Sequence, residues 1–316
     1  MLHVRVVSPP AATGRLANHL AADAGVLNLL VLRGAALAGG DAVQFDLRNS
    51  SANAILDQLQ NFDLHRDGSI SIEAVDAAIG DAARRPGWRR IYHGERAPVW
   101  DLVEARIADD ASYAPSFFAL LVFAGLIGAC GILINSQILI VGAMVVGPEY
   151  SAIISVALGI ERRNWQPVRS GLVALLAGFL TAIAVTLLFA LCIRGLGKAP
   201  PLYLHGIRPV SDLINSPNLY SVVVAVVAGI VGVVSLTLAR AGALIGVFIS
   251  VTTIPAAADI AVSVAFGSWG EAEGSAFQLL LNVGLLIVVG ALALRGQRLI
   301  WRRWARSGSG LANRSG

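Results

Sequence analysis

From residue 113 onward the sequence is dominated by six apolar stretches, at roughly 114–134, 137–160, 170–193, 218–239, 242–266 and 276–294. Each is long enough to cross the ~30 Å hydrocarbon core of a bilayer as a helix. No other feature constrains the fold as much. In lipid every backbone N–H and C=O must find its partner inside the protein, so a chain of such runs folds as a helical bundle. Only Asn135 and Ser136 join the first two runs, which sets that turn at or slightly within the membrane edge.

Charge divides the chain at the same place. Residues 1–112 hold 11 basic and 14 acidic side chains, whereas residues 113–316 hold 13 and 6. The sequence therefore predicts a soluble domain (1–80), a linker with a connecting amphipathic helix (81–112), a six-span domain (113–295) and a basic tail (296–316). The surplus of arginine says little about nucleic acid, and no nucleic-acid partner is expected. Most of it flanks the apolar runs, where it orients the protein and meets anionic lipid. With the N-terminus inside, eleven basic residues between Arg96 and Arg306 fall on the cytoplasmic side, among them Arg162, Arg163, Arg240 and Arg295; only Arg194, Lys198 and Arg208 fall outside. The expectation is a multi-pass protein of the bacterial inner membrane with both termini cytoplasmic. MLHVRVVSPP lacks the layout of a signal peptide.

The N-terminal stretch reads β-α-β-β-α-β. LHVRVV (2–7) is a strand and 13–25 a helix, with Thr13 as its cap and Gly25 as its stop. A strand over 26–37 is followed by another over 42–49, where Val43, Phe45 and Leu47 alternate with polar residues. Asn49, Ser50 and Ser51 offer caps to a second helix carrying Ile55, Leu56 and Leu59, and 69–75 alternates again. This order is the ferredoxin-like or split-βαβ plan, α+β and ACT-like, suited to sensing a small-molecule ligand or to dimerisation. The stretch Asp63–Glu73 imitates a calcium loop, but His65 and Ala74 stand where that loop needs oxygen ligands. An Asp-Gly turn before a strand accounts for it. The five histidines are scattered, and no nucleophile set, metal spacing or phosphate loop occurs. Neither catalysis nor a cofactor is expected.

The membrane part carries the candidate site. Six spans make two groups of three (114–193 and 218–294), and an odd number per group inverts the second relative to the first. Span two contains Gly147-Pro148-Glu149; span five contains Thr252-Thr253-Ile254-Pro255, then Asp259. ISVALG at 154–159 is echoed by VSVAFG at 262–267, a spacing of 108. Interrupted spans at matching places in inverted repeats point to a transporter's midplane binding site. Glu149 and Asp259 are the only acids inside the six runs as drawn here, and intramembrane acids handle protons or cations or pair with a neighbour. The bland readings stay open. Glu149 is also explained as a protonated acid bonded to a neighbouring helix or paired with arginine, and Asp259 as a cap for backbone freed at Pro255. Asn135, Ser136 and Gln137 are also explained as a hairpin turn, and Asn282 as helix-to-helix glue. Gly142, Gly147, Gly171 and Gly246 are expected to permit close packing.

Asn135-Ser136-Gln137, then Gly142-Ala143-Met144 and Gly147-Pro148, resemble the signature of a bacterial membrane family known as domain of unknown function 389. Ile254-Pro255-Ala256 and Gly267-Ser268-Trp269 are similar to the family's second-half motifs. The likeness covers about 130–295, and it departs at Glu149 and Asp259, where small or apolar residues are expected. It implies a multi-span integral membrane protein and brings no substrate or activity. Transport of an ion or small solute is the leading expectation, with a channel or pore, and a non-transporting scaffold or ligand sensor, as rivals. Assembly as a homo-oligomer is expected from six short-looped spans that bury little surface alone.

Overall fold

The computed structural model describes residues 1–36, 39–60, 68–75, 99–111, 113–216, 218–238 and 241–312. The chain divides into two compact units, one made of Met1–Ala105 and Arg303–Gly316 and the other spanning Arg106–Arg302.

The first unit is built on β1 (Leu2–Ser8), α1 (Pro10–Ala21), β2 (Val26–Ala36), β3 (Gly40–Leu47), α2 (Asn49–Gln60) and β4 (Ser69–Ala74). Its sheet runs β2-β3-β1-β4 with every neighbouring pair antiparallel. That order is the one the split-βαβ plan requires. Alternation sends Val4, Val6, Val43, Phe45 and Leu47 to one face, where they pack on Leu16 and Leu20 of α1 and Ile55, Leu56 and Leu59 of α2. Several boundaries differ from the expectation, among them the end of α1 at Ala21, so Gly25 is not its stop. α1 starts three residues before Thr13, because Pro10 supplies a pre-set φ at its first position. Thr13 is therefore not a cap; its hydroxyl donates back to the Pro9 carbonyl at 3.1 Å. α2 begins at Asn49, so the residues expected to cap it form its first turn. The calcium-like stretch lies outside the described residues over 63–67 and continues into β4. A connecting helix, α3, spans Trp100–Asp110, and Pro98 before it lies outside the described residues.

The second unit is helical. Its elements are α4 (Pro115–Leu133), α5 (Gln137–Val146), α6 (Glu149–Arg162), α7 (Trp165–Gly195), the short α8 (Pro201–Leu204) and α9 (Pro209–Ile214), then α10 (Leu219–Thr237), α11 (Ala241–Ser250), α12 (Thr253–Phe266) and α13 (Trp269–Ala312). Among the described residues α4, α7, α10 and α13 are each long and apolar enough to cross a membrane. The pair α5–α6, bent by 51°, makes a fifth if it is one span. α7 and α13 start earlier than their apolar runs do, at Trp165 and Trp269, which are largely exposed.

The helix boundaries carry a regularity. α10, α11, α12 and α13 begin at Leu219, Ala241, Thr253 and Trp269, each 104 residues after Pro115, Gln137, Glu149 and Trp165. The ends of α10, α11 and α12 keep the same offset from α4, α5 and α6, and both 14-residue helices stop at a left-handed residue, Arg163 (φ 56°) or Gly267 (φ 79°). At this offset Val122-Phe-Ala-Gly-Leu-Ile-Gly128 aligns with Val226-Val-Ala-Gly-Ile-Val-Gly232. The ISVALG echo, at 108, is displaced by four residues, about one helical turn. The two sets also interlock. α12 packs against α4, α5 and α7. α6 reaches across to the second set, with Tyr150 against Gly232 and Ala157 against Gly290. The hydroxyl of Tyr150 fills the space a side chain at Gly232 would need. Gly142 and Gly246, expected at close contacts, face open space.

Candidate functional site

Both interruptions come from local chemistry. α5 ends at Val146, followed by Gly147 in an extended conformation, and Pro148 precedes α6 as its cap, where a missing N–H removes no helix bond. A side chain at Gly147 would collide with the Glu149 carboxylate and with Ile254. In the second set the break falls at Val251-Thr252, with Thr252 as the cap of α12. Pro255 does not itself break the helix. It sits in the first turn of α12, where backbone N–H groups lack intrahelical partners.

These breaks bring the starts of α6 and α12 together. Glu149 and Thr253 are the first residues of the two helices, and the Thr253 hydroxyl donates to Glu149 Oε1 at 2.6 Å. Both residues are buried. The other carboxylate oxygen, Oε2, is buried without a hydrogen-bond partner. Two helix N-termini, each with a partial positive charge, thus converge on one carboxylate.

A second polar group adjoins the first. Thr252 Oγ1 accepts from Gln278 Nε2 at 3.2 Å and from Asn282 Nδ2 at 3.0 Å. Gln278 and Asn282, four residues apart on α13, are 3% and 2% exposed. They line a cleft of about 220 Å³ together with Asn218, Ser221 and Ser250. Gln278 was missed at the sequence level although its spacing from Asn282 puts the two amides on one helix face.

Asp259 stands in a different setting. It lies six residues into α12 from Thr253, about 9 Å along the axis. It is fully buried, and its two oxygens accept from Ser211 of α9 and Ser275 of α13, each at 2.6 Å. Beyond it, Arg208 forms an ion pair with Glu271 at 2.8 Å and lies over the Tyr203 ring at 4.1 Å. Burial pushes the Tyr203 hydroxyl above its ordinary pKa, so that ring stays neutral. At the opposite end of the unit, Glu161 of α6 pairs with Arg298 of α13 at 3.4 Å, both largely buried. Glu161 is therefore a further buried acid of α6, the helix that Glu149 opens. The sequence reading ended that span one residue too early to include it.

The hairpin residues do turn work. Asn135 adopts φ 53°, a conformation asparagine tolerates, and its amide donates to the Ile207 carbonyl at 3.3 Å. Ser136 caps α5 by accepting from the Leu139 N–H, and Gln137 opens that helix. No hydrogen bond joins these residues to Glu149, Thr252 or Asp259 among the described residues.

Several long apolar helices with buried polar groups between them define a multi-pass membrane protein, preceded by a small antiparallel sheet with two helices. Residues 144–288 match the family model described as "Domain of unknown function (DUF389)", which supports assignment to that family. The matched segment includes Glu149, Thr252, Thr253, Asp259, Gln278 and Asn282. No curated protein and no solved structure matches the chain.

Proposed function

We propose that this protein moves an ion or small solute across a bilayer through a site where the two interrupted spans meet. The observation that carries the reading is the hydrogen bond between Glu149 and Thr253, the first residues of two half-helices 104 positions apart. Counted as spans, α5–α6 and α11–α12 complete a set of six, in two three-span repeats. Three is odd, so the repeats are inverted, and an inverted pair of broken helices with joined N-termini is the arrangement of a midplane transport site. A half-helix beginning inside hydrocarbon is tolerable only where its freed backbone is buried in protein or faces a polar cavity. The cleft at Thr252 is such a cavity.

On this reading Glu149 is the group that binds and releases the transported species, and no catalytic step or cofactor is assigned. Arginine placement supports cytoplasmic termini and residence in the bacterial inner membrane. The soluble domain regulates or joins subunits. Its edge strand β2 exposes Leu30 and Leu32, an unpaired border that a second copy would cover.

The test is proton uptake into liposomes holding the purified protein under an imposed ion gradient, comparing wild type with Glu149→Gln. The expected result is uptake that the substitution abolishes. Absence of flux for protons and for a panel of ions, with assembly intact, would sink transport and favour a scaffold.

A further inference from the structure

The cleft between α10, α11 and α13 has a chemistry of its own. Its wall carries the hydroxyls and amides of Asn218, Ser221, Ser250, Thr252, Gln278 and Asn282, and none of its lining residues is an acid or a base. It runs from the start of α10, where Asn218 is exposed, to Thr252, next in sequence to the residue that holds Glu149. Its volume, about 220 Å³, is room for a small ion with several waters, each of which occupies about 30 Å³ in the liquid.

Three features set the sign of the ligand. Gln278 Oε1 is a buried acceptor with no hydrogen-bond partner, on a side chain 3% exposed. The last turn of α11 ends at Ser250 on this cleft, and the final carbonyls of a helix lack intrahelical partners and carry its partial negative charge. Glu149 Oε2, beyond Thr253, is likewise unpartnered. Oxygen acceptors gathered without a basic side chain suit a hard cation. The absence of any carboxylate from the wall favours a single positive charge over a divalent ion, which takes carboxylate ligands.

We propose that this cleft binds a partly dehydrated alkali-metal cation, sodium or potassium, held by Gln278 Oε1, the hydroxyl of Ser250, and carbonyls at the end of α11. The ion's passage onward to Glu149 rests on the transport reading above; its binding does not.

The experiment is equilibrium binding of radiolabelled sodium, and of rubidium as a potassium probe, to the detergent-purified full chain. Saturable binding of one of them is expected in the wild type. Gln278→Leu weakens it about tenfold, the scale of losing one ligating group. Gln278→Glu guards against a mere folding defect, because an added carboxylate tightens cation binding and the gain disappears at acid pH as that carboxylate protonates. No saturable binding of either cation by the wild type, or binding unaltered or weakened by Gln278→Glu, overturns the proposal. Cation binding without liposome flux keeps this site and sinks transport. Flux of another solute by a protein that binds neither cation does the reverse.

Discussion

Glu149 and Asp259 are both buried acids, one in α6 and the other in α12, yet their surroundings differ. Both oxygens of Asp259 are taken, by Ser211 and Ser275. Glu149 has one oxygen held by Thr253 and one with no hydrogen-bond partner. A carboxylate whose acceptors are filled by hydroxyls ties three helices together and has little left to offer a ligand. A half-satisfied one keeps an acceptor in reserve, which is costly in an apolar interior unless a proton or cation occupies it. The two acids, both candidate site residues in the sequence, are thus two different kinds of residue.

The comparison can be broken at its strongest point first. Asp259→Ala orphans two buried hydroxyls and is expected to destabilise the protein by about 3 kcal/mol, summing roughly two charge-assisted bonds. The check is thermal denaturation of the solubilised protein followed by size exclusion. If this variant melts like the wild type, Asp259 is not the tie described here. Thr253→Val strips Glu149 of its one hydroxyl donor and should cost about 2 kcal/mol in the same assay. Glu149→Gln keeps an oxygen for Thr253 and should shift stability by less than about 1 kcal/mol, while liposome flux is lost. A large stability loss in that variant would put Glu149 in the same structural class as Asp259.

The smallest effect belongs to an acid of the N-terminal sheet. The backbone N–H of Gly34 donates to Asp41 at 2.8 Å and holds its carboxyl below the ordinary carboxylate range. A folded-state pKa below the unfolded one means stabilisation present above about pH 3.9 and lost as pH falls through the lower folded value. Hydrogen exchange at the β1–β3 amides should thus show a difference between wild type and Asp41→Asn at neutral pH that shrinks through that window. A difference that persists in acid would point to a cause other than ionisation.

Much of the fold was legible because its signals are local. Alternation at Val43, Phe45 and Leu47 marked β3, and apolar length marked α4, α7 and α10. The two interruptions were visible as Gly147-Pro148 and as the polar pair Thr252-Thr253, although Pro255 drew attention away from the break itself. The repeat offset was harder to see. In a membrane unit rich in Ala, Val and Gly, a match shifted by one helical turn presents the same face and looks as good as the true register. The helix boundaries, Pro115 with Leu219 through Trp165 with Trp269, show an offset of 104 where composition does not.

The cluster residues divide along the same line. Asn282 was visible as a polar residue in an apolar run, and Gln278 in the same run could have been, whereas Ser211 and Arg208 sit in what reads as a connector, and Ser275 and Glu271 precede the apolar part of α13. By itself the sequence determined where helices and strands form, and that acids stand inside apolar helices, because periodicity and burial pattern act over a few neighbouring residues. Only the tertiary structure decided which acid is satisfied. Ser211 lies 48 residues from Asp259 and Thr253 lies 104 from Glu149. A hydrogen bond is short and directional, so its existence depends on how helices pack, which no local pattern records.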